Sequence, residues 1–171
     1  ERRLADGRWF MVNERRTSEG GIVATWTDID ELKQVQEAVR ESEAQLAAIF
    51  DNSPVVIGLK DTEGRFIRVN RRFCEAMGLP ESEIIGRTSY DIYPEATAGP
   101  ASELDRAVLQ SRLPVERIVP NYVKEGVTQH LEVKFPIFDQ KGEVAAVGIV
   151  ATDLTERLQL EEALQLRNRL L

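Results

Sequence analysis

Two segments near opposite ends of the chain, residues 26–39 and 151–164, carry nearly the same sequence. The shared positions are Thr27 with Thr152, Asp28 with Asp153, Glu31 with Glu156, Gln34 with Gln159, Glu37 with Glu162, and Ala38 with Ala163. In both copies an apolar, β-branched run meets the Asp, and the Glu follows three residues later. An Asp and a Glu at this spacing satisfy free amides of a first helical turn. The repeat therefore predicts two places where a strand runs directly into a capped helix, and it favours duplication of a whole domain type.

Composition argues against several classes of function. The 171 residues carry a formal net charge of −7 without a sustained basic block, which argues against nucleic acid as a partner. The single cysteine, Cys74, excludes an internal disulfide framework and is interpreted as a packing residue. Every apolar run is too short to span a bilayer, so we predict no direct membrane contact. Because the sequence opens on Glu1 and its first methionine is Met11, we expect it to belong to a longer protein.

The first part of the chain predicts a hairpin and a long helix. Residues 1–28 are interpreted as the C-terminal hairpin of a truncated preceding domain, which leans on another surface for its order. Residues 29–50 form a linker helix in which one series of positions recurs every three or four residues. Its apolar members are Leu32, Val35, Val39, Leu46 and Ile49, and Ser42 belongs to the same series. This spacing favours the seam of a two-stranded coiled coil and a homodimer, while packing of the helix on its own domain stays open.

The remainder predicts one complete domain and an exit helix. Residues 51–153 have the order two strands, several short helices and three strands, which gives an α+β fold. We expect a five-stranded antiparallel sheet with short helices on one face, flanked by N- and C-terminal signalling helices. Residues 154–171 begin the exit helix, where two apolar stripes compete: Leu160, Leu164 and Leu171 against Leu158, Ala163, Leu166 and Leu170. Two available seams are typical of a bistable relay, and simple fraying of the helix is the alternative.

This ordered set of elements resembles the PAS domain family. The resemblance is carried by RFIRVNRRFCEAMG, LPESEIIG, FPIFDQKGEVAAVGIVATDLTER and the exit motif Asp153-Leu154-Thr155. Residues 45–155 resemble a complete domain, and residues 6–30 resemble the last two strands of a preceding one, with Asp30 where Thr is usual. The resemblance implies a sensory or signal-relay module, dimeric and cytoplasmic, placed upstream of an effector such as a histidine kinase or a diguanylate cyclase.

The cofactor-binding branches of the family are not matched. A flavin adduct requires a Cys within an Asn-Cys-Arg-Phe-Leu-Gln stretch, and the sequence has none. Haem requires a His on the long helix, where GPASELDRAVLQSR has none. The only histidine, His130, alternates with Glu132 and Lys134 and is predicted to face solvent. Neither a flavin adduct nor haem is expected, no metal site is predicted, and the cofactor or ligand stays unidentified.

Two functions remain open, because a lone His without a nucleophile and an orienting partner predicts no enzymatic activity in this fragment. The first is a sensor that binds a small molecule between sheet and helices. Its candidate lining residues, each also a candidate for ordinary core packing, are Ile57, Phe73, Met77, Tyr90 and Tyr122. The second is a ligand-free dimerisation and relay module. A polar group in a roomy cavity favours the sensor, and a cavity filled by side chains favours the relay.

In both functions we expect movement of the sheet to pass directly into the helices, because no flexible linker separates strand from helix. The predicted signal-coupling junctions consist of Asp28 and Glu31 in the first copy of the repeat, and Asp153, Leu154, Thr155 and Glu156 in the second.

Overall fold

The first compact unit is a small antiparallel sheet that leads into a long helix. The structure, a computed structural model, describes residues 1–123 and 126–169 and divides into the units Glu1–Ile49 and Phe50–Leu171. The elements that begin in the first unit are β1 (Arg2–Arg3), β2 (Trp9–Arg16), β3 (Ile22–Asp28) and α1 (Asp30–Asp51). The predicted hairpin is β2 and β3. It gains a third strand because a tight turn at Gly7, with φ of 94°, brings β1 alongside β2.

The second unit contains a five-stranded antiparallel sheet in the order β5-β4-β8-β7-β6. Its strands are β4 (Val56–Lys60), β5 (Phe66–Val69), β6 (Val115–Val123), β7 (Gly126–Phe138) and β8 (Val144–Asp153). Its helices are α2 (Arg71–Met77), α3 (Glu81–Ile84), α4 (Ser89–Ile92), α5 (Glu95–Ser111) and α6 (Thr155–Arg169). The predicted α+β fold with a five-stranded antiparallel sheet is confirmed.

Asn70 fixes the start of α2 and ties it to the sheet. Its Oδ1 accepts hydrogen bonds from Phe73 N at 2.9 Å and from Ile57 N at 3.0 Å. Its Nδ2 donates to the carbonyl oxygen of Val55 at 2.9 Å. The helix ends at Gly78, whose φ of 65° is a left-handed conformation that glycine adopts without strain. One fully buried side chain therefore holds the helix against β4.

Helix α5 begins at Glu95, and Pro100 lies inside the helix rather than in its first turn. The buried side of the helix is long and continuous, and it consists of Thr97, Ala98, Ala101, Leu104, Asp105 and Val108. Burial of this side against the sheet outweighs the hydrogen bond that a proline removes from the helix.

The inner face of the sheet, which faces the helices, is identified by Gly58. A Cβ at this position would lie 3.4 Å from the Phe73 ring, so the strand approaches α2 closely here. Because side chains alternate along a strand, Val56 and Lys60 share the face of Gly58, whereas Ile57 lies on the opposite face. The apolar core on the helix side consists of Phe66, Val69, Phe73, Ile84 and Ile149. Within the part of the chain that the structure describes, no helix is long and apolar enough to cross a membrane.

Candidate functional site

A small cavity lies between the sheet and the helices of the second unit. Its volume is about 30 Å³, which gives room for one or two water molecules. The cavity is lined by Val56, Phe73, Ala76, Met77, Tyr93, Thr97, His130, Glu132 and Ala151. The lining combines apolar side chains with a carboxylate, a phenol, a hydroxyl and an imidazole. Such a mixture can orient a bound molecule.

Glu132 has a buried oxygen whose hydrogen-bonding capacity is unused. Its side chain is 15% exposed, and its Oε2 has no hydrogen-bond partner among the described residues. The nearest charge is Lys134 Nζ, at 3.7 Å from Oε2, too far for a direct hydrogen bond. A buried acceptor without a partner costs free energy, about 1–3 kcal/mol in general and more for a charged group. This oxygen is therefore a ready acceptor for a donor that enters the cavity.

Two lysines are buried beside the cavity and share one carboxylate. Lys60 and Lys134 are each 1% exposed. Lys60 Nζ donates to Asp105 Oδ2 at 2.7 Å, and Lys134 Nζ donates to Asp105 Oδ1 at 2.7 Å. Lys60 also donates to Ser89 Oγ at 2.7 Å, and Lys134 to the carbonyl oxygen of Ala101 at 2.6 Å. Burial lowers the pKa of Lys60, and the negative charge of Asp105 opposes that shift.

This buried charge cluster was not predicted. Lys134 was placed on the same side of its strand as His130, which was predicted to face solvent, and the sequence offers no signal that Lys60 or Lys134 is buried. Asp105 did offer one, because it follows Ala101 by four positions and precedes Val108 by three on the apolar side of α5. A charged residue within such a stripe predicts a buried cation opposite it.

His130 lies on the inner face, so the prediction that it faces solvent is wrong. Its alternation with Glu132 and Lys134 was recognised, but the shared face was assigned to the wrong side of the sheet. The side chain is 15% exposed and lines the cavity. Its Nε2 lies 3.1 Å from Thr128 Oγ1 and 3.8 Å from Asp153 Oδ2. The imidazole thus stands between the cavity and the start of the exit helix.

A larger cleft adjoins the cavity on its outer side. Its volume is about 410 Å³. The cleft shares with the cavity the four residues Val56, Ala76, His130 and Ala151. Its other lining residues are Pro54, Val55, Arg72, Thr128, Thr152 and Asp153. The wall between cavity and cleft therefore consists of three apolar side chains and one imidazole.

Burial raises the pKa of Tyr93, and the negative charge of Glu132 raises it further. The phenol therefore keeps its proton at neutral pH and can donate a hydrogen bond inside the cavity.

The candidate lining residues divide into three groups. Phe73 and Met77 line the cavity as expected. Ile57 does not, because it points to the opposite face of β4 from Val56. Tyr90 is 56% exposed and lines a separate surface groove near Thr62, since it belongs to the outer side of the short helix α4. The side chain of Tyr122 lies outside the described residues.

The exit junction is held by three hydrogen bonds around Thr155. Asp153 Oδ1 accepts from Thr155 N at 2.9 Å, which caps α6. Thr155 Oγ1 accepts from Gln129 N at 2.9 Å, and Leu154 N donates to Gln129 O at 2.7 Å. Burial acts to raise the pKa of Asp153, but the hydrogen bonds from Thr155 outweigh it and the pKa lies below its usual value. Strand β7 and the first turn of α6 are therefore directly bonded.

The predicted seam of α1 is exposed along its whole length. Its members Leu32, Val35, Val39, Leu46 and Ile49 have exposed fractions of 51%, 56%, 51%, 64% and 71%. Five large apolar side chains on one side of a helix leave a stripe that water covers unless a partner does.

Among residues 1–123 and 126–169, no group of three or more His, Cys, Asp and Glu side chains is arranged to hold a metal ion.

Comparison with known proteins decides the family. The family model described as the PAS fold matches residues 50–159, which is more than half of the chain and includes the cavity and the exit junction. The chain belongs to the PAS family. The match covers the whole five-stranded sheet, α2 to α5 and the first residues of α6.

Two curated relatives carry PAS-like sequence of this kind. One is the non-motile and phage-resistance protein of Caulobacter vibrioides, 32% identical over 98 residues, which are 54% of this chain and 11% of that protein. The other is the methanogenesis regulatory histidine kinase FilI of Methanothrix harundinacea, 28% identical over 145 residues, which are 84% of this chain and 16% of that protein. The chain therefore spans only a small part of the length of each relative.

Solved structures of VqmA proteins also resemble this chain. The phage VqmA–DPO complex is 27% identical, with a TM-score of 0.59, over 78% of this chain and 62% of that one. The Vibrio cholerae VqmA dimer in the absence of target DNA is 26% identical, with a TM-score of 0.58, over 67% of this chain and 52% of that one.

Proposed function

We propose that this PAS domain is a sensor that binds a small molecule between its sheet and its helices and passes the change through α6 to an effector. The observation that carries the proposal is the buried Glu132 Oε2, which faces a cavity and has no hydrogen-bond partner among the described residues. A folded protein leaves such a group unpaired at a cost, and a ligand that pairs it regains that free energy.

The route from the cavity to the exit helix runs through β7. His130 lines the cavity, and the residue before it, Gln129, bonds both Leu154 and Thr155. A ligand that displaces the imidazole therefore acts on the strand segment that holds the first turn of α6. The proposed coupling junction is Asp153, Leu154, Thr155 and Glu156, with Asp28 and Glu31 in the same role at the start of α1.

The likeness to FilI supports a histidine kinase as the effector, and a diguanylate cyclase remains an alternative. We assign no catalytic step to the fragment itself. The association of VqmA with DNA belongs to that protein, and the absence of a nucleic-acid partner stays a prediction for this chain, as does the cytoplasmic location.

A homodimer is part of the proposal. The exposed stripe Leu32–Ile49 along α1 has the spacing of a two-stranded seam, and a second copy of the chain would cover it. The VqmA neighbour is a dimer, which supports the same arrangement here. We also propose that residues 1–28 are the C-terminal hairpin of a preceding PAS domain, because the register and exit contacts of β2 and β3 match those of β7 and β8.

A ligand-free relay is the second candidate, and the cavity volume of about 30 Å³ favours it. Side chains fill most of the space between sheet and helices, so a ligand larger than a few atoms needs the cavity to open. In a pure relay the same junction contacts would transmit a movement that begins upstream.

Native mass spectrometry of the 171-residue chain distinguishes the two candidates. We expect a dimer with an excess mass that disappears under denaturing conditions. Ala76→Leu, which fills the wall between cavity and cleft, should remove the excess mass, whereas Ala44→Leu on the exposed side of α1 should retain it. A dimer of bare chains that also takes up no added small molecule favours the relay.

A further inference from the structure

We propose that the cavity selects an uncharged molecule with a hydrogen-bond donor, N–H or O–H, and an apolar body, and that the donor bonds Glu132 Oε2. The inference rests on the proposed sensor function and adds the chemical class of the ligand. Glu132 supplies the acceptor, and Val56, Phe73 and Met77 supply apolar contacts on the same cavity. A carboxylate oxygen only accepts hydrogen bonds when ionised, so the complementary group on the ligand is a donor.

The buried ionisable groups favour a neutral ligand over an ionic one. The interior beside the cavity holds two basic side chains, Lys60 and Lys134, and two acidic ones, Asp105 and Glu132. Basic and acidic groups are therefore equal in number before any ligand binds. A cation would leave one positive charge uncompensated in a site of low dielectric, and an anion would meet Glu132 directly. A neutral donor satisfies the free oxygen without changing the balance.

The shape of the site explains how such a molecule is accommodated. The internal cavity holds only one or two waters, but the outer cleft of about 410 Å³ lies behind a wall that includes His130. Met77, an unbranched and flexible side chain, lines the cavity on the helix side. A ligand with its donor at Glu132 moves the imidazole or the thioether, and its body extends toward the cleft. Movement of the imidazole also changes its 3.8 Å approach to Asp153 at the exit junction.

The inference is tested by the binding of four small probe molecules to the 171-residue chain at pH 7. Binding is measured from the shifts of backbone amide signals in NMR spectra. Pyrazole is neutral and carries an N–H donor. N-methylpyrazole has nearly the same shape and lacks the donor. Pyrrolidinium and propionate are a cation and an anion of similar size. We expect pyrazole to shift the cavity amides and to bind roughly tenfold or more tightly than N-methylpyrazole, since a hydrogen bond to a charged group exceeds that difference.

Glu132→Gln should abolish most of the preference for pyrazole, because the amide keeps the size of the side chain and removes its charge. Glu116→Gln makes the same change at an exposed position of β6 and should leave the preference intact. The comparison of pyrazole with N-methylpyrazole needs no substitution, so the test stands even if the Glu132 variant does not fold.

The outcomes separate the inference from the sensor function. If N-methylpyrazole, pyrrolidinium or propionate shifts the cavity amides as strongly as pyrazole, the ligand class is wrong and the sensor function survives. If pyrazole binds better but the preference persists in a folded Glu132→Gln protein, Glu132 is not the acceptor and the inference fails. If none of the four probes shifts the cavity amides, the inference fails, and the excess mass in the native mass spectrum still decides the sensor function.

Discussion

The chain passes from a strand into a helix at two junctions, and both are built from the same contacts. In the first, Ile29 N donates to Trp9 O at 2.9 Å, and in the second Leu154 N donates to Gln129 O at 2.7 Å. The Asp of the repeat caps the helix in each, at 3.0 Å in the first junction and 2.9 Å in the second. The repeated sequence therefore encodes one local structure.

The two sheets differ on the face that His130 and Glu132 occupy in the second unit. Phe10 holds the position of His130, because each of them pairs with the Asp of its repeat. Val12 likewise holds the position of Glu132, two residues further along the strand. The first sheet thus presents apolar side chains where the second presents titratable ones. The junction contacts are therefore present in both sheets, whereas the titratable side chains that could bind a ligand are present only in the second. This is expected where a functional site is added to a common fold.

The largest effect should come from removing the charge that balances the buried lysines, a feature that the first sheet lacks. Asp105→Ala leaves Lys60 and Lys134 buried without their shared carboxylate. Breaking a buried ion pair in this way costs roughly 3–5 kcal/mol. We therefore expect the second unit to unfold at a much lower urea concentration than in the parent protein. Hydrogen exchange of its core amides measures this unfolding.

Replacing all four buried charges together is the control for that prediction. The combined change Lys60→Met, Asp105→Leu, Lys134→Met and Glu132→Met removes both lysines and both carboxylates and nearly retains the volume of the side chains. We expect a stability close to that of the parent protein, because apolar replacement of a whole buried network is often neutral. Equal losses for the single and the combined variants would contradict the role of charge balance.

The next largest effect concerns the exposed stripe of α1. Val39→Glu places a charge at the centre of the proposed seam and should weaken dimerisation roughly tenfold or more, because the charge would be buried between helices. Ala44→Glu adds the same charge on the opposite side of the helix, where the residue is exposed. Analytical ultracentrifugation of both variants measures the dissociation constants. Equal dimerisation of the two would show that the stripe serves another contact.

The sequence predicts the fold well because periodicity and caps are local signals. The order of strands and helices, the Asn70 cap and both capped junctions follow from residues close together in the chain. The element order and the PAS resemblance together led to the five-stranded sheet that the structure confirms. Phe73 and Met77 were placed at the cavity because they share the inner side of α2.

The interior chemistry was not predicted, because alternation shows which strand residues share a face but not which face is inside. His130 and Ile57 were both assigned to the wrong side of the sheet for this reason. Lys60 and Lys134 have the polarity of surface residues, and only their pairing with Asp105 across the fold makes their burial tolerable. A contact between distant elements cannot be deduced from the pattern of either element alone.

A smaller effect should come from removing the Asp cap at each junction, and it should show which junction transmits the response to ligand. Asp153→Ala and Asp28→Ala each remove one helix cap and should each cost about 1 kcal/mol of local stability, measured by hydrogen exchange in α6 and α1. Only Asp153→Ala should also weaken the response of α6 to ligand, because only this junction adjoins the cavity through His130. Unchanged coupling in the Asp153 variant would remove the junction from the proposed route.

The cap at Asp153 should also depend on pH with a defined sign. Its pKa in the folded protein lies below the usual value of 3.8, so the ionised form stabilises the fold above that pH. As pH falls through the lower folded pKa, the carboxylate is protonated and its contribution is lost. The stability difference between the parent and Asp153→Ala should therefore be constant near neutral pH and shrink below pH 3.8.

The smallest effect should come from exchanging the third residue of the first junction. Asp30 Oδ1 accepts from Trp9 N at 3.3 Å, just as Thr155 Oγ1 accepts from Gln129 N at 2.9 Å. Asp30→Thr retains an acceptor for Trp9 and loses the hydrogen bond from Gln34 Nε2 to Asp30 Oδ2 at 3.0 Å. The expected cost is about 0.5 kcal/mol, measured by thermal unfolding, because the lost bond is exposed to solvent. Asp30→Val removes both bonds and should cost clearly more. If the two variants were equally stable, the third residue would not close the junction, and the likeness between the two junctions would rest on the backbone and the Asp cap alone.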